Sequence, residues 1–231
     1  MGSAMDDQTD ATQLLDRLEG TLVADLNSLV EWASDFDRRR TKAPKLGGLN
    51  FTLGLVALIG CETLGFFTTG AAQHRKQPPR AQPDLGTYIM GFIRDYFPRD
   101  SLFRKLEKVL ADFLRHDLVH GFGAANPTVP FDLGLFVSKE TSKRVTSGYS
   151  NGKKLLKLNS HALARDTIAA FYTLKQKVRS GADKPLLARI VQAKTLALPV
   201  SSGALKQFEV VHREIERQAK GGRSTKTTTR T

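Results

Sequence analysis

Between residues 12 and 40, apolar side chains recur three or four positions apart: Leu14, Leu15, Leu18, Leu22, Leu26, Leu29, Val30, Ala33 and Phe36. This spacing lines them along one stripe and predicts an amphipathic helix, capped by Asp10 or Thr12, with Trp32 at the edge of the core. Pro44, Gly47 and Gly48 then turn the chain toward a nearly all-apolar helix over 50–71, capped by Asn50 or Thr52. Residues 73–84 are basic and rich in proline and read as an exposed connection. A third helix covers 86–96 and is broken by Pro98. Asp100 or Ser101 caps the next, whose stripe is Leu102, Phe103, Leu106, Val109, Leu110 and Phe113; it runs to His120 and stops before Gly121 and Gly123.

The period then changes. Residues 131–137 and 153–158 have strand character, and Gly148 and Asn151-Gly152 between them are turn formers, so a small antiparallel hairpin is expected. Helical spacing returns over 161–179, 185–196 and 202–220, the last with Leu205, Phe208, Val211 and Ile215 on its apolar side. The fold class is therefore mainly α with a small antiparallel β-hairpin insertion. The expected layout is a flexible N-terminus (1–11) and a single helical domain (12–220), followed by a disordered basic tail (221–231). Within the domain, 12–126 form the core bundle, 127–160 the hairpin region and 161–220 the C-terminal helices.

Composition narrows the function classes. The chain has 231 residues, 40% of them apolar, enough for a packed core. The acidic N-terminus does not resemble a secretory leader. The 17-residue apolar run 51–67 contains Glu62 and three glycines and reads as a buried core helix, so no membrane partner is expected. The single cysteine, Cys61, fits a reducing cytoplasmic setting and a small core position. His74, His161 and His212 lack ligand spacing and read as surface or satisfied polar residues; no metal and no cofactor is expected. No phosphate-binding glycine loop and no dinucleotide fingerprint is present.

Charge changes the picture more. The net charge is +12, and residues 138–231 hold 20 Lys and Arg against 6 Asp and Glu, leaving 15 against 17 in the rest. A basic C-terminal half attracts polyanions, nucleic acid first. Lys143, Arg144, Lys153 and Lys154 flank the hairpin with Tyr149 between them, a set suited to tracking a phosphate backbone and stacking a base.

Chemistry centres on Leu114-Arg115-His116-Asp117-Leu118-Val119-His120, in the last turn of the fourth helix. Arginine stays cationic at any working pH, and histidine exchanges protons near neutrality. Five positions rotate about 140° on a helix, so spacing alone does not bring Arg115 and His120 together, whereas Asp117 shares a side with His120 and can orient it. Cations are also expected at a helix end for electrostatic reasons alone.

This segment, at the end of a helix in a helical chain, resembles the Arg-x4-His motif of the HEPN superfamily. The resemblance covers roughly 12–122 and implies a helical bundle and a homodimer whose two subunits form one cleft. Arg115 and His120 would line that cleft, with His116 and Asp117 beside them and Glu62 of the second helix contributing a polar group. It implies metal-independent endoribonuclease activity on RNA in a toxin or defence setting, with a protein partner or antitoxin, or else a catalytically inactive interaction or RNA-binding module. Some family toxins carry a tyrosine two positions after the histidine; here Phe122 stands there, and modification at that position is excluded. Residues 131–220 exceed a minimal family domain.

Overall fold

The computed structural model describes residues 4–39, 48–70, 85–113, 131–138, 140, 142–150, 152–196, 207, 209–213 and 215–217. The chain is mainly helical and divides into two compact units, Met1–Lys194 and Thr195–Thr231. The second unit is helical at 209–213 and 215–217, with Arg213 paired to Glu209 at 3.4 Å.

The first unit opens with α1 (Ala4–Leu18), a wide π turn (Glu19–Val23) and α2 (Ala24–Arg39). Helix α1 starts two turns ahead of the expected Thr12, and neither Asp10 nor Thr12 is its cap. Thr12 Oγ1 donates back to Gln8 O at 2.8 Å, inside the helix. Tertiary contacts support those early turns: Gln8 Nε2 donates to Arg179 O at 2.8 Å, and Lys194 Nζ pairs with Asp10 Oδ1 at 2.9 Å. The π turn was not legible in the periodicity. Leu15 and Val23 are both buried, yet eight residues of regular helix would leave them roughly 80° out of line. The wider turn absorbs the extra residue, so that Leu15, Val23, Leu26, Val30 and Ala33 meet one core. Trp32 falls outside that stripe and is 63% exposed, against its expected core-edge position.

Helix α3 (Gly48–Thr68) carries the apolar run. It is long and apolar enough to cross a membrane by length and composition, and Leu53, Ala57, Leu58, Cys61, Leu64 and Phe67 on it are buried among neighbouring elements. Helix α4 (Leu85–Tyr96) lies against it at very short range. A Cβ added at Gly65 would sit 2.1 Å from the carbonyl oxygen of Tyr88, so only glycine permits this approach. The chain then passes a 3-10 turn (Leu102–Leu106) into α5 (Glu107–Phe113).

Strands β1 (Phe131–Phe136), β2 (Val145–Ser150) and β3 (Lys153–Asn159) form one sheet in the order β1-β3-β2. This corrects the expected hairpin. The two segments thought to pair antiparallel, 131–137 and 153–158, are parallel neighbours, with Leu135 opposite Leu158. The antiparallel partner of β3 is β2, and just ahead of β3 Gly152 has φ +79°. Strand β2 escaped notice because Thr146, Ser147, Gly148 and Ser150 give it no apolar alternation. The tight turn just after it requires a strand there all the same.

Asn159 ends β3 and caps α6 (Ser160–Ser180). Its Oδ1 accepts from the backbone N–H groups of His161 and Ala162 and from that of Ser138, while its Nδ2 donates to Ser138 O at 2.9 Å. One buried amide thus fixes the strand-to-helix corner to the loop after β1. Helix α6 is the hub of the unit, touching α1, α2, α3, α4, β1 and β3. Phe171, Leu174 and Val178 are buried on it, Gly181 closes it in the left-handed conformation, and α7 (Lys184–Leu196) follows.

Candidate functional site

Helix α5 is described as far as Phe113, two residues before Arg115 in the chain, and the start of this helical stretch is held by a buried polar staple. Ser101 caps the 3-10 turn by accepting from Phe103 N at 3.3 Å, and its hydroxyl donates to Asp166 Oδ2 at 2.6 Å. Arg144, just ahead of β2, donates to the same carboxylate through Nε (2.9 Å) and Nη2 (3.2 Å), a two-pronged arrangement that fixes direction as well as distance. The hydrogen bonds to Asp166, with its charge and that of Asp100 adding, raise the pKa of Arg144 further. Three elements therefore meet at Asp166: the turn into α5, the sheet and α6.

Asp166 was missed in the sequence although a signal was present. It lies three residues after Leu163 and four before Ala170, on the buried stripe of α6, and an acid on such a stripe implies a partner.

The predicted residues separate into three groups. Arg115, His116, Asp117 and His120 lie outside the described residues, as does His74. Glu62 is half-buried on α3. The hairpin set is described, and the structure divides it. Lys143 pairs with Glu140 at 2.5 Å, and Arg144 is committed to Asp166, so these two cations are already partnered. Tyr149, 77% exposed, stands directly across from Lys154 in the β2/β3 register. Lys153 pairs across to Ser150 and Lys157 to Thr146. Because side chains alternate between faces along a strand, Tyr149 and Lys154 share one face while Lys153 and Lys157 share the other. Lys157 was not among the expected binding residues.

Other polar groups of the first unit serve packing. Buried His161 has its Nε2 2.9 Å from Ser34 Oγ, which ties α6 to α2. Lys175, whose side chain is 7% exposed, is clamped by Asp16 at 2.7 Å and by Glu19, which the π turn delivers to it. The hydrogen bonds from Lys175 hold the carboxyls of Asp16 and Glu19 below their ordinary range, and the same bonds hold the Lys175 ammonium above its own. Cys61 lies in the core 3.5 Å from Thr167 Oγ1, and burial pushes its thiol up to about 12, which removes it as a nucleophile. Among the described residues, no three His, Cys, Asp or Glu side chains gather as metal ligands.

No protein-family model matches this chain, and no curated protein or solved structure matches it either.

Proposed function

We propose that the protein is a metal-independent endoribonuclease of HEPN type, acting as a homodimer with Arg115 and His120 in a shared cleft. One observation carries the reading: an Arg-x4-His sequence, Arg115 to His120, follows in the chain after the described part of α5, in a mainly helical protein whose C-terminal half is strongly basic. The chemistry follows from the two side chains. His120 accepts the proton of an RNA 2′-hydroxyl, the freed oxygen attacks the adjacent phosphorus, and the bond to the 5′-oxygen breaks as that oxygen takes a proton from water. Arg115 holds the charge that accumulates on the phosphorane. The products are a 2′,3′-cyclic phosphate and a 5′-hydroxyl, and DNA, which lacks the attacking group, resists.

A second reading, an RNA-binding module without turnover, is favoured by the exposed Tyr149 beside Lys154. Incubating the pure protein with RNA in EDTA decides between them. The first predicts cleavage that Arg115→Ala abolishes; binding without cleavage leaves the second.

A further inference from the structure

We infer that the β2–β3 hairpin is a single-strand reader, in which Tyr149 stacks on an unpaired base and Lys154 neutralises a neighbouring phosphate. The inference rests on the reading of this protein as one that acts on RNA, and it names the form of RNA that is taken. Three aromatic side chains are exposed among the described residues, Trp32, Tyr149 and Tyr172, and their surroundings differ. Trp32 shares α2 with Asp25, Glu31 and Asp35, which repel a phosphate chain. Tyr172 is hydrogen-bonded to Glu19 in the Lys175 cluster. Tyr149 alone of the three stands in a basic setting, because the stretch 145–159 contains Lys153, Lys154 and Lys157 and no acidic residue.

Geometry makes Tyr149 and Lys154 one unit. They are direct cross-strand partners on the same face, so their Cβ atoms lie about 5 Å apart. Two long side chains rooted that close together can engage a base and the phosphate of its own backbone at once. The β2–β3 turn ends in Gly152 and the strand end Ser147–Tyr149 is exposed, which leaves the ring open to a flat partner. A ring stacks on a base only if that base's π-face is free; in a duplex these faces are occupied by neighbouring pairs. The face carrying Lys153 and Lys157 has no aromatic residue in β2 or β3, so it adds charge without reading bases.

The experiment uses the full chain, with His120→Ala introduced to prevent turnover, and measures fluorescence anisotropy with a labelled 12-nucleotide mixed-sequence RNA, single-stranded or annealed to its complement. Tyr149→Ala is expected to weaken single-strand binding roughly 5- to 100-fold while leaving duplex binding within twofold, and Tyr149→Phe is expected to restore it. Lys154→Ala should reduce the slope of log K against log salt by about 0.7 on the single strand. Circular dichroism checks that each variant is folded; the strand ends at an exposed turn, so these substitutions leave the core intact. If the parent binds RNA and Tyr149→Ala binds the single strand as the parent does, or loses duplex binding equally, the hairpin proposal is overturned and the RNA reading stands. A parent that binds neither form at low salt overturns both.

Discussion

Replacing Asp166 by alanine removes the acceptor shared by Ser101 and both prongs of Arg144. Three bonds to a charged group, at about 1.5–3 kcal/mol each, set an upper bound that is not reached because such bonds are not additive. Breaking a buried ion pair by deleting one partner costs about 3–5 kcal/mol. Arg144 is 19% exposed at its side chain and has Asp100 Oδ2 3.9 Å away, so part of its charge is recovered by water and that carboxylate. The loss is therefore placed at the low end, about 3 kcal/mol. In a unit of this size each kcal/mol lowers the midpoint by about 2–4 °C, so thermal unfolding followed by circular dichroism should fall by about 6–12 °C. A cycle with Arg144→Ala should return a coupling of at least about 1.5 kcal/mol, whereas Asp100→Ala, at an 80% exposed side chain, changes stability by less than about 0.5 kcal/mol. A cost under 1 kcal/mol for Asp166→Ala, or additive single and double variants, would refute the staple.

Gly65→Ala forces a methyl group against the Tyr88 carbonyl and should destabilise by about 3 kcal/mol in urea unfolding, with α3 and α4 pushed apart. Asp16 and Glu19 have lowered folded-state pKa values, so their stabilising effect is complete above the ordinary glutamate value of 4.5 and fades as pH falls through the folded values. Midpoints measured from pH 6 down to pH 2 should drop below about pH 4.5, and Lys175→Met should make that drop shallower. Cys61 should resist a thiol reagent at pH 8 in the folded protein and react at once in denaturant, as its buried thiol titrates only at about 12; rapid labelling of the folded state would contradict its core position.

Long apolar periodicity made most of the helices legible: α3, α4, α6 and α7 lie close to where spacing put them, although Asn50 and Thr52, the expected caps of α3, lie inside it. The failures have particular physical causes. Leu15 and Val23 share a core only because of a π turn, and no composition marks the place where a helix takes an extra residue. The start of α1 depends on Gln8 and Asp10 bonding to residues more than 170 positions away, which local propensity does not register. Strand β2, the last strand in the sheet order among the described residues, is made mostly of Thr, Ser and Gly, so it carries no alternating apolar signal. At the candidate site, the exposed Tyr149 and Lys154 were legible as a basic, aromatic-bearing turn. Their division from Lys153 and Lys157 became visible only with the register, and Arg144 turned out to be a fold residue because its partner Asp166 is 22 positions away.

The central claim is that Arg115 and His120 cleave RNA by internal attack of the 2′-hydroxyl. A long mixed-sequence RNA and its DNA counterpart are incubated with the pure protein in EDTA, and the end groups of any fragments are determined. The account predicts RNA fragments with 5′-hydroxyl and 2′,3′-cyclic phosphate ends, intact DNA, and no fragments with His120→Ala. Equal cleavage by His120→Ala, or RNA left whole by the folded protein, would contradict it.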